Sequence, residues 1–170
     1  MKRILLFLIF VALFQRIFAT EQVPDILLIG NDTIYLKTFP LESIELKYRP
    51  FGLTRATAPH TGCWRGYHAV WRLKNDSLYL EKILNCQWQA KSEEENIFEL
   101  FKKNSLEKYI MDGKIFATWY DKILFNPPPA MAKFYKGRIY IYEVTYKEPE
   151  EKDIIMKFVK GILIINRLKG

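Results

Sequence analysis

Tyr67-His68-Ala69-Val70-Trp71-Arg72-Leu73-Lys74-Asn75-Asp76-Ser77-Leu78-Tyr79-Leu80-Glu81 carries the strongest pattern in the chain. Tyr67, Ala69, Trp71 and Leu73 alternate with His68, Val70 and Arg72. After Lys74-Asn75, Leu78 and Leu80 alternate with Ser77, Tyr79 and Glu81. A period of two marks a strand with one buried face, and two such runs around a tight turn predict a β-hairpin. With Leu73 facing Asp76 across a two-residue turn, Trp71 faces Leu78 and Ala69 faces Leu80 on an apolar side. Arg72 then faces Ser77 and His68 faces Glu81 on the other side. The same register aligns Cys63 with Cys86, so side-chain polarity and cysteine position select it together. A bulge at the turn would shift the pairing by one residue.

Whether those cysteines pair depends on where the protein goes, and the N-terminus speaks to that. Lys2 and Arg3 precede an apolar run from Ile4 to Phe14, then Gln15, Arg16 and Ile17-Phe18-Ala19 ahead of polar Thr20-Glu21-Gln22. A basic start, a short apolar core and a small residue at the cut define a signal peptide over residues 1–19. Gln15 and Arg16 break the run well short of the roughly 20 apolar residues that span a bilayer. The expectation is an exported protein, periplasmic or secreted, with a single β-rich domain over residues 20–170 and no stable membrane anchor after cleavage. In an oxidising compartment Cys63 and Cys86 form a structural disulfide, closing a loop of about 24 residues and contributing about 3 kcal/mol on a chain-entropy argument. The competing assignments, a catalytic thiol beside His60 or His68 and a metal site of His60, Cys63, His68 and Cys86, match no established ligand spacing.

Charge is reinterpreted by the same segment. The 170 residues hold 26 Lys+Arg against 19 Asp+Glu, a net +7. Loss of Lys2, Arg3 and Arg16 leaves 23 against 19, a net +4, which is ordinary for a small folded domain and does not point to nucleic acid. Lys136-Gly137-Arg138-Ile139-Tyr140-Ile141-Tyr142 superficially matches an RNA-recognition strand, but Arg138 stands where an aromatic is required. A hydrophobic content of 49% argues against disorder, and eight Gly, eight Pro and two Cys exclude collagen-like and disulfide-dense scaffolds.

Outward from the hairpin, Asp25 to Ile29 and Thr33 to Leu36 flank Gly30-Asn31-Asp32 as a second hairpin. Leu41 to Tyr48 reads as a short strand or a turn of helix. Arg49 to Gly62, with Pro50, Gly52, Pro59 and Gly62, is a long loop of the kind that is functional or mobile. Ser92 and Glu95 form a capping box ahead of Ile97, Phe98, Leu100 and Phe101, predicting one helix over about residues 93–103 whose aromatic stripe packs on the core. Ser105 starts a further helical turn carrying Leu106, Tyr109 and Ile110, ended by Asp112-Gly113. Lys114 to Tyr120 and Lys122 to Phe125 read as strands halted by Asn126-Pro127-Pro128-Pro129. Arg138 to Lys147 is a long alternating strand, and Ile154 to Phe158 pairs through Lys160-Gly161 with Ile162 to Arg167. The fold class is α+β, a mainly antiparallel β-sheet or incomplete barrel with one packed helix.

The Arg65-Gly66-Tyr67-His68-Ala69-Val70-Trp71 segment with Leu78-Tyr79-Leu80, and Phe116-Ala117-Thr118-Trp119 with Ile141-Tyr142-Glu143 and Lys160-Gly161-Ile162-Leu163, is similar to segments of a family of small uncharacterised bacterial exported proteins. The resemblance spans about residues 63 to 165 and implies a single bacterial domain; it transfers no activity. The chain departs from it in having Asn126-Pro127-Pro128-Pro129 and Lys136-Gly137 where a glycine-rich loop is expected.

Motifs for a serine nucleophile elbow, a zinc-binding His-Glu-x-x-His, a phosphate loop and a Cys-x-x-Cys pair are absent, so no cofactor and no metal are expected. Four Trp and ten Tyr are heavy aromatic usage. Trp71 and Trp119 read as core. Trp64, Arg65, His68 and Trp88, gathered beside the predicted bridge, form a candidate binding face, because Trp, Tyr and Arg carry most binding energy at interfaces. The functional expectation is a non-catalytic binding or interaction protein whose partner is a protein or an envelope component, an immunity-like or envelope-associated inhibitor being one concrete form. The alternative is a hydrolase acting on envelope glycan or peptide with paired carboxylates such as Asp121 and Glu143.

Overall fold

The computed structural model describes residues 22–86, 93–125, 139–141 and 154–167. The expected signal peptide, Trp88, Glu143 and the Asn126-Pro129 stretch lie outside these residues. Most of the described chain is one curled, mixed sheet forming a half-barrel with a single α-helix against it. The strands are β1 (Asp25–Ile29), β2 (Asp32–Leu36), β3 (Tyr67–Lys74), β4 (Ser77–Asn85), β5 (Ile110–Met111), β6 (Lys114–Phe116), β7 (Lys122–Phe125), β8 (Ile139–Ile141), β9 (Ile154–Val159) and β10 (Ile162–Asn166). Their order across the sheet is β7-β9-β10-β4-β3-β1-β2-β8, with the small β5–β6 ribbon paired to β4.

All three predicted hairpins form. β1 and β2 pair antiparallel around Gly30-Asn31, β3 and β4 around Asn75-Asp76, and β9 and β10 around Lys160-Gly161. Two pairings are parallel, β1 with β3 and β2 with β8. The first arises because residues 37–66 cross from the end of β2 to the far side of β1, a connection that local periodicity does not encode.

The central hairpin differs from the sequence expectation in register. Trp71 faces Leu80 and Leu73 faces Leu78, two places along from the expected partners, because the turn comprises Asn75 and Asp76, both at positive φ (49° and 56°). Such a turn suits Asn and Asp, which tolerate left-handed backbone and match the twist of the strands. A shift by two keeps every side chain on its expected face. Beyond Trp71 a bulge adds a further residue: Val70 faces Lys82 and Ala69 faces Ile83, leaving Glu81 without a partner across the ladder. The inward set on β4 therefore runs Leu78, Leu80, then Ile83, while Tyr67, Ala69 and Trp71 line β3. Glu81, pushed outward by the bulge, forms a two-point ion pair with Arg72.

The helix, α1 (Ile97–Lys103), is shorter than the expected residues 93–103. Asn96 rather than Ser92 caps it, its Oδ1 accepting from the Glu99 N–H at 3.1 Å. Glu93 to Glu95 are held extended against β4 instead, where Asn85 N–H donates to Glu93 O and Glu95 N–H donates to Ile83 O. Leu100 and Phe101 are buried, and Phe101 and Trp71 both pack on Trp119 (ring centroids 5.8 and 6.2 Å). The core assignment of Trp71 and Trp119 thus holds, with Trp119 also donating Nε1–H to Pro40 O at 2.9 Å. Leu41 to Tyr48 begins with a 3-10 turn at Pro40–Ser43. The segment Lys114 to Tyr120 ends as a strand at Phe116 and closes in a turn where Tyr120 N–H donates to Ala117 O. Of the long strand expected from Arg138 to Lys147, Ile139–Ile141 is strand and 142–147 lies outside the described residues.

Candidate functional site: the loop tied by the disulfide

Cys63 and Cys86 are bonded, with Cα atoms 6.3 Å apart. The bridge forms although the register that predicted it does not. Cys63 sits before β3 in a 3-10 turn (Thr61–Cys63) and Cys86 directly after β4, so the turn brings together two residues that no longer face each other along the ladder. With both cysteines bonded, neither is a thiol nucleophile or a metal ligand.

After the bridge the chain makes a second turn. Gly66 N–H donates to Cys63 O at 2.9 Å, and Gly66 takes φ +82° with Leu53 so close that a Cβ would come within 2.7 Å of its side chain. This reversal sends Trp64 outward and Arg65 inward. Arg65 is fully buried, as is Asp25 on β1, and they form an ion pair at 2.8 Å. Asp25 also accepts from Ala69 N–H and Trp71 Nε1–H at 3.1 and 3.0 Å. Arg65 donates to Val23 O at 2.6 Å and stacks its guanidinium 3.6 Å from the Phe39 ring centre, while its Nε has no partner. Burying both charges is tolerable because each is paired and hydrogen-bonded. Beside them Tyr67 donates to Glu42 at 2.5 Å, and burial first, then the Glu42 and Asp25 carboxylates, hold this phenol protonated well above its ordinary range.

The four residues of the sequence-derived face therefore take different places. Arg65 belongs to the interior. His68 is half-buried with Nδ1 3.9 Å from Cys86 Sγ, and burial lowers its pKa below the ordinary imidazole value; Asp25 opposes that shift and Arg65 adds to it. Trp64 is half-buried, its ring covered by the Arg55 guanidinium at 5.7 Å. Trp88 lies outside the described residues. Arg55 was not legible as a site residue, since nothing local distinguishes it.

The loop leading to the bridge is held at both ends. Arg49 pairs with Glu42 at 2.7 Å, and Tyr48 exchanges two hydrogen bonds with the Asn104 side chain at the end of α1 (2.8 and 2.9 Å). Phe51, at a left-handed φ of 54°, donates its N–H to Glu95 at 2.5 Å. Gln22 donates to Thr61 O and accepts from Trp64 N–H, and His60 Nε2–H donates to Cys86 O at 3.2 Å. Side chains from β-strand, helix and N-terminal segment thus fix a loop of irregular backbone.

Charge on this part of the chain is one-sided. Residues 46–75 contain no Asp or Glu but hold Lys47, Arg49, Arg55, Arg65, Arg72 and Lys74. Three are neutralised from elsewhere, by Glu42, Asp25 and Glu81. Lys47, Arg55 and Lys74 are exposed and make no ion pair among the described residues.

Among the described residues no group of three or more His, Cys, Asp or Glu is arranged to hold a metal. Asp121, one of the two carboxylates considered for hydrolysis, accepts from Lys160 N–H at 3.4 Å beside the β9–β10 turn. No protein-family model, curated protein or solved structure matches this chain.

Proposed function

We propose that the chain is an exported, non-catalytic binding protein, periplasmic or secreted, whose partner is a protein or envelope component, an immunity-like or envelope-associated inhibitor being one concrete form. The observation that carries this reading is the fixed loop over residues 48–66, a segment without regular structure that is tied by a disulfide, a buried ion pair and side-chain clasps, and that offers Arg55 and Trp64 at its surface. Immobilising a surface loop before a partner arrives lowers the entropy lost on binding. The ionisable groups beneath it serve the fold, since both Asp25 oxygens accept hydrogen bonds from Arg65, Ala69 and Trp71 and the Tyr67 phenol is kept protonated. Export is supported by the N-terminal pattern and by the bridge, and among the described residues no helix is long and apolar enough to cross a membrane.

The test is capture by the oxidised chain of residues 20–170 from envelope extract, followed by reconstitution with the purified partner. A complex of fixed stoichiometry is expected. Turnover of cell-wall material that is lost in Asp121→Asn, with no stoichiometric partner, would replace this reading with a hydrolase.

A further inference from the structure

Resting on the binding reading above, we infer that the partner docks on the Arg55–Trp64 pair and presents an acidic protein surface, a carboxylate flanked by apolar or aromatic side chains. The guanidinium of Arg55 lies over the Trp64 ring at 5.7 Å and has no carboxylate partner among the described residues. A guanidinium held over a ring keeps N–H groups to spare, and its fork can donate two parallel N–H bonds to a carboxylate. Trp64 is held from behind, its own N–H given to Gln22, and the residue after it is locked to Asp25, so the ring is a fixed platform.

The chemistry around the pair selects among anions. No Asp or Glu occurs between residues 46 and 75, and Arg49, Arg65 and Arg72 are paired within the fold, which leaves Arg55 and Lys47 and, away from the pair at the far end of the hairpin, Lys74. Three scattered cations do not track a phosphate backbone, whose binding takes many simultaneous contacts. A sugar ring stacks on the face of an aromatic, and Arg55 stands over the Trp64 ring and favours an anionic partner there. What remains is a small cationic and aromatic spot of the kind that dominates protein interfaces, fitted to a carboxylate.

The probe is an array of synthetic twelve-residue peptides graded in Asp/Glu and aromatic content, with hyaluronate and single-stranded DNA as competing polyanions. The oxidised chain of residues 20–170 is expected to retain acidic-aromatic peptides at least tenfold better than neutral or basic ones, with retention falling as salt rises. Arg55→Glu and Trp64→Ala should each lose that preference. Arg55→Lys should lose part of it, because the charge stays and the fork goes. Lys74→Glu makes the same change in net charge at the far end of the hairpin and should leave it intact. Circular dichroism and thiol labelling confirm that each variant is folded and bridged. Equal retention by the Arg55→Glu variant, preference for hyaluronate or DNA over every peptide, or retention only of a second copy of the chain would overturn the inference. The envelope experiment separates the two levels. A stoichiometric partner bound equally well by Arg55→Glu refutes this docking spot and leaves the binding reading standing, whereas no partner at all removes the reading itself.

Discussion

The two ends of the β3–β4 hairpin are held by different means. At the open end, side-chain ties join the backbone bonds: the Cys63–Cys86 bridge, the Arg65–Asp25 pair and the clasp of Tyr67 on Glu42. At the Asn75-Asp76 tip, the ties are backbone bonds. Leu163 N–H donates to Asp76 O at 2.7 Å, Leu78 N–H donates to Gly161 O at 2.9 Å, and Gly161 N–H donates to Tyr120 O at 2.8 Å, so the tips of two hairpins interlock with the turn after β6. The difference teaches which end can carry a binding surface. Backbone interlock hides both partners, whereas side-chain ties fix a loop from beneath and leave its outer face free.

The largest effect that tests this contrast comes from Asp25→Ala. It leaves the fully buried Arg65 guanidinium without its carboxylate and strips acceptors from Ala69 N–H and Trp71 Nε1–H. Stability in urea unfolding should fall by about 3–5 kcal/mol. A loss below about 1 kcal/mol, the level of an exposed pair, would mean that the charge network is not what holds the open end.

Removing the bridge in a Cys63→Ala/Cys86→Ala variant should cost about 3 kcal/mol, the two cysteines being 23 positions apart. The loss should be local in its first signs. Amide exchange is expected to quicken at Val23 and Gly66, whose N–H groups bond to Gly62 O and Cys63 O, while Gly161 and Leu163 at the tip keep their protection. Uniform loss at both ends would erase the distinction between them.

At the tip the sensitive residue is Gly161. It sits at φ +73°, and a Cβ there would come 2.4 Å from the Ala117 carbonyl oxygen, which cannot yield without moving the turn. Gly161→Ala should cost about 2 kcal/mol, strain and collision together. Gly30→Ala supplies the reference, with φ +57° and nothing within 4 Å, so only the backbone penalty of about 1 kcal/mol is expected. Equal losses at the two glycines in thermal unfolding would show that the tip is not interlocked.

The same contrast sorts what was legible in the sequence. The hairpins, the helix and the disulfide follow from local period and from two cysteines behind an N-terminus that reads as an export signal. The register does not, because a turn at Asn75-Asp76 in place of Lys74-Asn75 slides the pairing by two and leaves every side chain on its face, and the extra residue at Glu81 adds no break in polarity, Glu81 and Lys82 both being hydrophilic. The helix start moved because Glu93 to Glu95 found backbone partners on β4, a tertiary contact that outweighs a capping box. Arg65 reads as a surface residue because its partner lies 40 positions earlier, on a strand reached through a parallel pairing. The one trace of that burial is Asp25 itself, a charge at the start of an otherwise aliphatic strand. Arg55 left no trace except the missing acids around it.

The last test reaches the open end through pH. His68 is half-buried beside the bridge, and burial holds its pKa below the value of a free imidazole. A base whose folded pKa is lowered stays neutral in the fold while the unfolded chain takes up the proton. Its contribution to stability is therefore complete above the unfolded pKa, about 6.5, and is lost as pH falls through that value toward the lower folded one. Unfolding midpoints should drop between pH 7.5 and pH 5 by more in the native chain than in His68→Gln, which keeps a polar side chain without the titration. Exchange at Gly66 should quicken over the same interval and exchange at Gly161 should not, since no imidazole contacts the tip. A native midpoint that rises on acidification relative to His68→Gln would mean that the proton is welcomed at the bridge, with the Asp25 carboxylate outweighing burial, and would reverse the sign given to this corner of the fold.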